Sequence, residues 1–360
     1  MTALTAAHMI SEIRKAVEES SRKLFQMSTP PVRYWLLSDV MRKEPEDSVL
    51  QRTVEECRSY PPRLRLLNAL GEDGTWPIPK HRKDEEDRGP GPPIGWTYIT
   101  VLRNLYTLGD YVTTKGDGNV AAALERLLRW QVDGGYIPGP TTTAFPEPHY
   151  NGFALRNLNQ FRMDRDPRTY RLEQWLVRMQ RSDGGWNIPY VQDVRYLPAY
   201  KHMRMKDFMK LVQSGDRPQW DPKEHEHIPS CVWSTLTVLR GFYWSPSMRY
   251  RREMRRGADF VLDRFFKRNY HPSYYQSEKN WTTLKYPTHF GSGLSALEVL
   301  ASMGYGPEDG RMEAAVRWLL KSRSKDGLWY RSNRPSPEND QWITEIALSI
   351  LVRYAGMYGY

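Results

Sequence analysis

The sequence predicts an all-α chain of the (α/α)6 toroid class, a barrel of six inner and six outer helices, on three observations. A helix-stop motif ending in an aromatic residue recurs along the chain. Helical segments that are apolar nearly all round alternate with amphipathic ones. The first and last helical segments each lack the partner that this alternation requires.

The stop motif comes first. NALGEDGTW ends at Trp76, RWQVDGGY at Tyr136, RMQRSDGGW at Trp186 and KSRSKDGLW at Trp329. Each closes an amphipathic segment: LRLLNAL, ALERLLRWQ, LEQWLVRMQ and AAVRWLLKS. Asp-Gly after such a segment ends a helix, because glycine readily takes the left-handed conformation that terminates the hydrogen-bond ladder. RGADFVLDRFF (256–266) has the same amphipathic front without the Asp-Gly-Trp ending.

The segments between are of a second kind: GWTYITVLRNLYTLG (95–109), PHYNGFALRNLNQF (148–161), PSCVWSTLTVLRGFYW (229–244), HFGSGLSALEVLASMG (289–304) and DQWITEIALSILVRYAG (340–356). Aligning Leu102, Leu155, Leu239, Leu297 and Leu351 superimposes them, and Pro93, Pro148, Pro229 and Pro287 stand at or just before four of the starts. Proline suits a first helical turn, where its missing N–H has no partner to lose. VRYWLLSDVM (32–41) is an earlier member. A helix apolar on every side is buried on every side, whereas an amphipathic one keeps a face in water. Inner helices near 32, 95, 148, 230, 290 and 341 thus alternate with outer ones near 50–70, 120, 170, 255 and 312. The last inner helix lacks an outer successor and MISEIRKAVEESSRKLF lacks an inner predecessor, so pairing the two ends closes the ring. Residues 1–360 are expected to form a single domain, with 187–228 as an insertion forming a lid or rim element.

Composition bounds the function. Thirteen Trp, 22 Tyr and 10 Phe supply a large aromatic core, and two cysteines do not make a disulfide framework. MTALTAAHMISEIRKAVEES has no apolar signal region, and no run of eighteen apolar residues is present. A cytoplasmic protein is expected. The net charge of +10 suits an anionic ligand, an acidic membrane face or nucleic acid without choosing among them. No recognised motif supports nucleic-acid binding.

Trp175-Leu176, Gln180, Gly184 and Trp186 match in spacing the QW repeat of triterpene cyclases. Trp318-Leu319, Gly327 and Trp329 match it with Arg323 in place of glutamine; Arg256-Gly257, Phe260 and Val261 match its front, and Gln131, Gly135 and Tyr136 its tail. The chain resembles the terpenoid cyclase and protein prenyltransferase superfamily over roughly residues 30–356. The resemblance implies an α/α toroid acting on an isoprenoid, a polyprenyl or prenyl diphosphate, in a central aromatic-lined cavity. It departs from that family in lacking a D-x-D-D acid motif and aspartate-rich helices. Asp84-Glu85-Glu86-Asp87 sits in a polar loop that reads as solvated.

If the long connections crown the end where inner helices begin, helix N-termini converge there and favour an anion. Candidate cavity-lining residues at those starts are Trp96, Tyr98, Tyr150, Asn151, Trp233, Phe290 and Trp342, and the faces of the aromatic ones would stabilise a carbocation. Glu345 or His149 would serve as acid or base. Arg195, Arg204 and Lys206 of the insertion would approach an anionic head group, and AYKHMRMKDFMKLVQS there reads as a short helix suited to a lid or to peripheral membrane contact. Cys231 and His289 share a slot on successive inner helices, like zinc ligands of prenyltransferase β subunits, but Pro229 replaces that family's aspartate. His227, with His225, Glu226 or Asp221 as substitutes, would complete a Zn2+ site with Cys231 and His289; packing without metal fits these residues too. Zn2+ and Mg2+ are the candidate cofactors, and neither is fixed by the residues. Two other readings fit the same architecture: a non-catalytic isoprenoid or lipid-binding toroid, and a carbohydrate-active α/α barrel.

Overall fold

The computed structural model describes residues 3–80, 84, 91–93, 95–140, 146–188, 198–200, 202–214, 226–245, 249–268, 278–289, 291–332 and 336–357. Among them, the regular elements are helices: α1 (Ala3–Met27), α2 (Pro30–Trp35), α3 (Ser48–Arg58), α4 (Pro61–Asn68), α5 (Trp96–Asp110), α6 (Val120–Arg129), α7 (Pro148–Gln160), α8 (Pro167–Arg178), α9 (Met205–Gln213), α10 (Val232–Tyr243), α11 (Arg251–Leu262), α12 (Gly293–Ser302), α13 (Gly310–Lys321) and α14 (Pro337–Tyr354). The all-α class expected from the sequence is what the chain has. Contacts divide it into two compact units, one of residues 61–261 and 268–277, the other of residues 1–60, 262–267 and 278–360.

In the first of these units the alternation of helix types is direct. α7 is buried at Pro148 and continuously from Asn151 to Asn159, and α10 is almost as enclosed, whereas α6 and α8 bury one face. α5 packs on α7, and α7 on α10. The α7–α10 crossing is close because both helices carry glycine there. A Cβ on Gly152 would stand 2.6 Å from Val238 Cα, and one on Gly241 2.6 Å from the Gly152 carbonyl oxygen.

The stop motifs share one geometry. The indole Nε1–H of Trp76 donates to Leu66 O (2.8 Å), that of Trp186 to Leu176 O (2.7 Å) and that of Trp329 to Leu319 O (2.7 Å). Each ring thus satisfies a carbonyl of the last helical turn, one of the groups a helix end leaves open. Gln180 Nε2 donates to Gly184 O (2.9 Å) in its own turn and to Glu253 O (2.7 Å) on the next outer helix. Gln131 does the same with Gly135 O and Arg168 O. Gly184 has φ +89°, and a Cβ there would meet Arg256 O at 2.6 Å, so glycine is needed both for the turn and for the close approach.

In the other unit, α14 is buried along nearly its whole length and packs against α12 and α1. The pairing of the two chain ends inferred from the sequence is therefore present. Arg323 takes the place of glutamine and keeps its task. Its Nε donates to Gly327 O (3.1 Å) and to Ser20 Oγ (3.0 Å) on α1, and Nη2 donates to Glu19 Oε2 (2.9 Å).

Three local readings change. The outer segment expected over 50–70 is two helices, α3 and α4, because Pro61 has no N–H and disfavours helix at Tyr60. The first inner helix is short, with α2 passing into a π-helical turn at Leu36–Val40. The register of the last inner helix also differs. Trp186 N–H donates to Thr235 Oγ1 and Trp329 N–H to Thr344 Oγ1, each at 3.0 Å, while Asn151 takes Ile137 N–H at 2.8 Å. Thr235 and Thr344 are thus equivalent, Asn151 stands four residues before Leu155 as Thr235 does before Leu239, and Leu348, rather than Leu351, corresponds to these two leucines.

Candidate functional site

With this register, His149, Trp233 and Trp342 occupy one position of the inner helices, and Glu147, Cys231 and Asp340 another, four residues before the Asn/Thr position. The second position is filled differently in each repeat. Asp340 is used by the backbone: its carboxylate accepts from Arg331 N–H (2.7 Å) and Ser336 N–H (3.1 Å). Cys231 is fully buried, caps α10 and pairs with Trp186 through an isolated β-bridge. Glu147 precedes α7, is fully buried, and makes no side-chain capping bond to the helix.

Around Glu147 the chain gathers four of the residues expected from the sequence. His149 Nε2 lies 3.8 Å from Glu147 Oε2, and the His149 ring lies against Tyr150, with centroids 4.1 Å apart. Tyr98 is fully buried, edge-on to Trp130 at 5.7 Å and tilted against Tyr150 at 6.2 Å. Its hydroxyl is buried without a hydrogen-bond partner among the described residues, and so is His149 Nδ1. Burial first, then the charges of Glu147 and Tyr150, push the Tyr98 phenol well above its usual range. Burial pushes His149 down to about 3, outweighing the carboxylate beside it, so the imidazole is neutral at neutral pH. Asn151 holds the frame: its Nδ2 donates to Ile137 O (3.0 Å) and Glu147 O (3.1 Å), and its Oδ1 accepts from Ile137 N–H. This leaves Asn151 bonded to main chain and fixes the backbone at Glu147. The arrangement places a proton donor, a neutral imidazole and a carboxylate in an aromatic enclosure.

The remaining expected residues lie elsewhere. Trp96 opens α5, with Arg103 over its ring at 5.5 Å. Trp96 N–H and Thr97 N–H and Oγ1 donate to the Asp84 carboxylate, so Asp84 caps α5 and is not the solvated loop residue the sequence suggested. Trp233 is buried in α10. Arg204 and Lys206 are exposed beside and on α9; Arg204 pairs with Asp207 at 2.8 Å, and the helix is seated through Phe208, which packs on Tyr200. In the other unit, Trp342 stacks face to face on Tyr286 (5.1 Å, 4° between planes), and Glu345 is buried one turn further along α14. His289 belongs to this unit too. Phe290 and Arg195 lie outside the described residues, as do His225 and Asp221.

For a metal, Cys231 is fully buried whereas His227 and Glu226 are exposed. Among the described residues, no three His, Cys, Asp or Glu side chains are placed to hold an ion.

Glu147 escaped the sequence reading because it stands one residue ahead of the helix, between Pro146 and Pro148. Its equivalence to Cys231 and Asp340 is the signal that singles it out.

No protein-family model matches the chain, and no curated protein matches it. Among solved structures, it is similar to a protein from Actinoplanes at 15% identity and a TM-score of 0.30, covering 82% of this chain and 97% of that one. A type II terpene cyclase, MstE from Scytonema, matches at 14% identity over 86% of this chain and 100% of that one. Its apo form and its complex with geranylgeranyl dihydroxybenzoate both give a TM-score of 0.28. At these scores, no property of either protein is transferred.

Proposed function

We propose that the chain is a terpene cyclase-like or prenyltransferase-like enzyme acting on an isoprenoid, a polyprenyl or prenyl diphosphate. The observation that carries this reading is the group of Tyr98, Glu147, His149 and Tyr150. Two of its buried polar atoms, the Tyr98 hydroxyl and His149 Nδ1, have no described hydrogen-bond partner. Buried polar groups are ordinarily satisfied, and exceptions mark sites that exchange protons or engage a ligand. An apolar, aromatic surround suits a hydrocarbon chain, and the faces of Tyr98, Tyr150 and Trp130 would stabilise positive charge developing on it. Glu147 would give or take the proton, with the neutral His149 imidazole 3.8 Å from its carboxylate and Tyr98 as a donor. Glu345, in the other unit, is the second candidate acid.

The test is turnover of a panel of linear polyprenyl alcohols and prenyl diphosphates, with products resolved by mass spectrometry. Glu147→Gln is expected to reduce turnover about 10²–10⁴-fold, the range of a general acid–base contribution, with the circular dichroism spectrum unchanged. Full activity in Glu147→Gln would assign the proton chemistry to another residue. A wild-type protein that neither binds nor converts any member of the panel would overturn the isoprenoid reading itself.

A further inference from the structure

Tyr98 and His149 are two places where the chain departs from its own repeat. Asn151, Thr235 and Thr344 stand four residues before the aligned leucine, and each accepts a main-chain N–H at or just after the preceding stop motif. Tyr98 stands four residues before Leu102, yet its hydroxyl is buried without a hydrogen-bond partner among the described residues. Trp96, Trp233 and Trp342 stand six residues before the aligned leucine, where α7 has His149. The Nδ1 of that histidine is buried and has no such partner either. Both side chains pack on one ring, that of Tyr150, with centroids 6.2 Å away for Tyr98 and 4.1 Å for His149.

The two open atoms offer different things. The Tyr98 phenol, its pKa raised by burial, keeps its proton and donates. Glu147 Oε2 lies 3.8 Å from His149 Nε2 and favours the ring proton on that nitrogen. In the neutral imidazole this leaves Nδ1 an acceptor. Tyr98 otherwise meets the rings of Trp130 and Tyr150, and His149 that of Tyr150, so no described cation is among their partners. A diphosphate brings only acceptors and negative charge, and here it would meet a carboxylate and an acceptor nitrogen. A hydroxyl accepts, donates and carries no charge, which matches the pair.

We propose that the ligand end held against Tyr150 is an alcohol, whose hydroxyl accepts from Tyr98 and donates to His149 Nδ1, so that the substrate is a prenyl alcohol rather than a prenyl diphosphate. That the chain bearing the hydroxyl is an isoprenoid rests on the function proposed above, and the experiment separates the two.

Binding of farnesol, farnesyl methyl ether and farnesyl diphosphate to the full chain is followed by tryptophan fluorescence. The ether can accept from Tyr98 but cannot donate to His149. Farnesol is therefore expected to bind at least about tenfold more tightly than the ether, and more tightly than the diphosphate, because an analogue lacking the donor leaves a buried group of the site unpaired. Tyr98→Phe should weaken alcohol and ether alike by at least about tenfold, and His149→Leu should abolish the advantage of the alcohol over the ether. Melting curves establish that each variant is folded, and the alcohol-to-ether ratio within one variant is insensitive to a general loosening of the site. Equal binding of alcohol and ether by the wild type, tighter binding of the diphosphate, unchanged binding in Tyr98→Phe, or an advantage that survives His149→Leu overturns the hydroxyl site and leaves the isoprenoid reading standing. 1-Dodecanol separates the remaining cases. If it binds in a Tyr98-dependent way and no farnesyl compound does, the hydroxyl site stands and the isoprenoid falls. If nothing binds, both fall.

Discussion

His149 makes stability depend on pH in a way that can be worked through. Its pKa is about 3 in the folded chain against 6.5 for the free side chain. Between these values the unfolded chain binds the proton and the folded chain does not, so stability is lost as pH falls below about 6.5 and is fully present above it. At pH 5 the cost is RT ln[(1 + 10^1.5)/(1 + 10^−2)], about 2 kcal/mol, whereas at pH 7.5 it is under about 0.1 kcal/mol. His149→Gln keeps a polar side chain and removes the titration. Urea unfolding of both proteins at pH 7.5 and pH 5 gives four free energies, and the carboxylates common to both cancel in the double difference. The wild type should lose about 2 kcal/mol more than His149→Gln across this interval. Parallel pH dependence in the two proteins would refute the neutral, buried imidazole, and with it the reading of His149 as a neutral neighbour of Glu147 rather than a cationic acid.

Other outcomes follow from the packing. Trp186→Phe removes the indole donor from Leu176 O in a fully buried setting and should destabilise by about 1–3 kcal/mol, measured by urea unfolding. No loss would mean that water reaches that carbonyl. Arg156 is buried, with Nη2 donating to Asp110 Oδ1 at 2.8 Å and its guanidinium 3.6 Å from the Tyr106 centroid. Arg156→Leu leaves Asp110 buried without that partner and should cost about 3–5 kcal/mol. Adding Asp110→Leu should restore a large part of the loss, and strictly additive effects in this cycle would show the pair to be uncoupled.

The sequence determined the succession of helices. Where an amphipathic segment met Asp-Gly, the helix ends, but α4, α6, α8 and α13 each stop six residues before a glycine of positive φ, which turns the chain after the helix and does not cap it. The Trp76, Trp186 and Trp329 indoles close the last helical turn, a local matter of nearby open carbonyls. The pairing of the first helix with the last was legible too, since each carried an apolar face without a sequential partner. Pro61 was visible in the sequence, but its effect was masked by a continuous amphipathic pattern on both sides. Register was not legible on α14. Its leucines and isoleucines are apolar on every face, so hydrophobicity alone cannot distinguish Leu348 from Leu351, and the hydrogen bond between Trp329 and Thr344 decides it. The candidate site divides the same way. Tyr98, His149 and Tyr150 stand out as aromatic or ionisable residues at helix starts. Glu147 and Asp84 each acquire meaning from neighbours distant in sequence: an enclosing group of rings, or a helix end to cap. Burial and proximity set the chemistry of an ionisable group, and both arise only once the chain has folded.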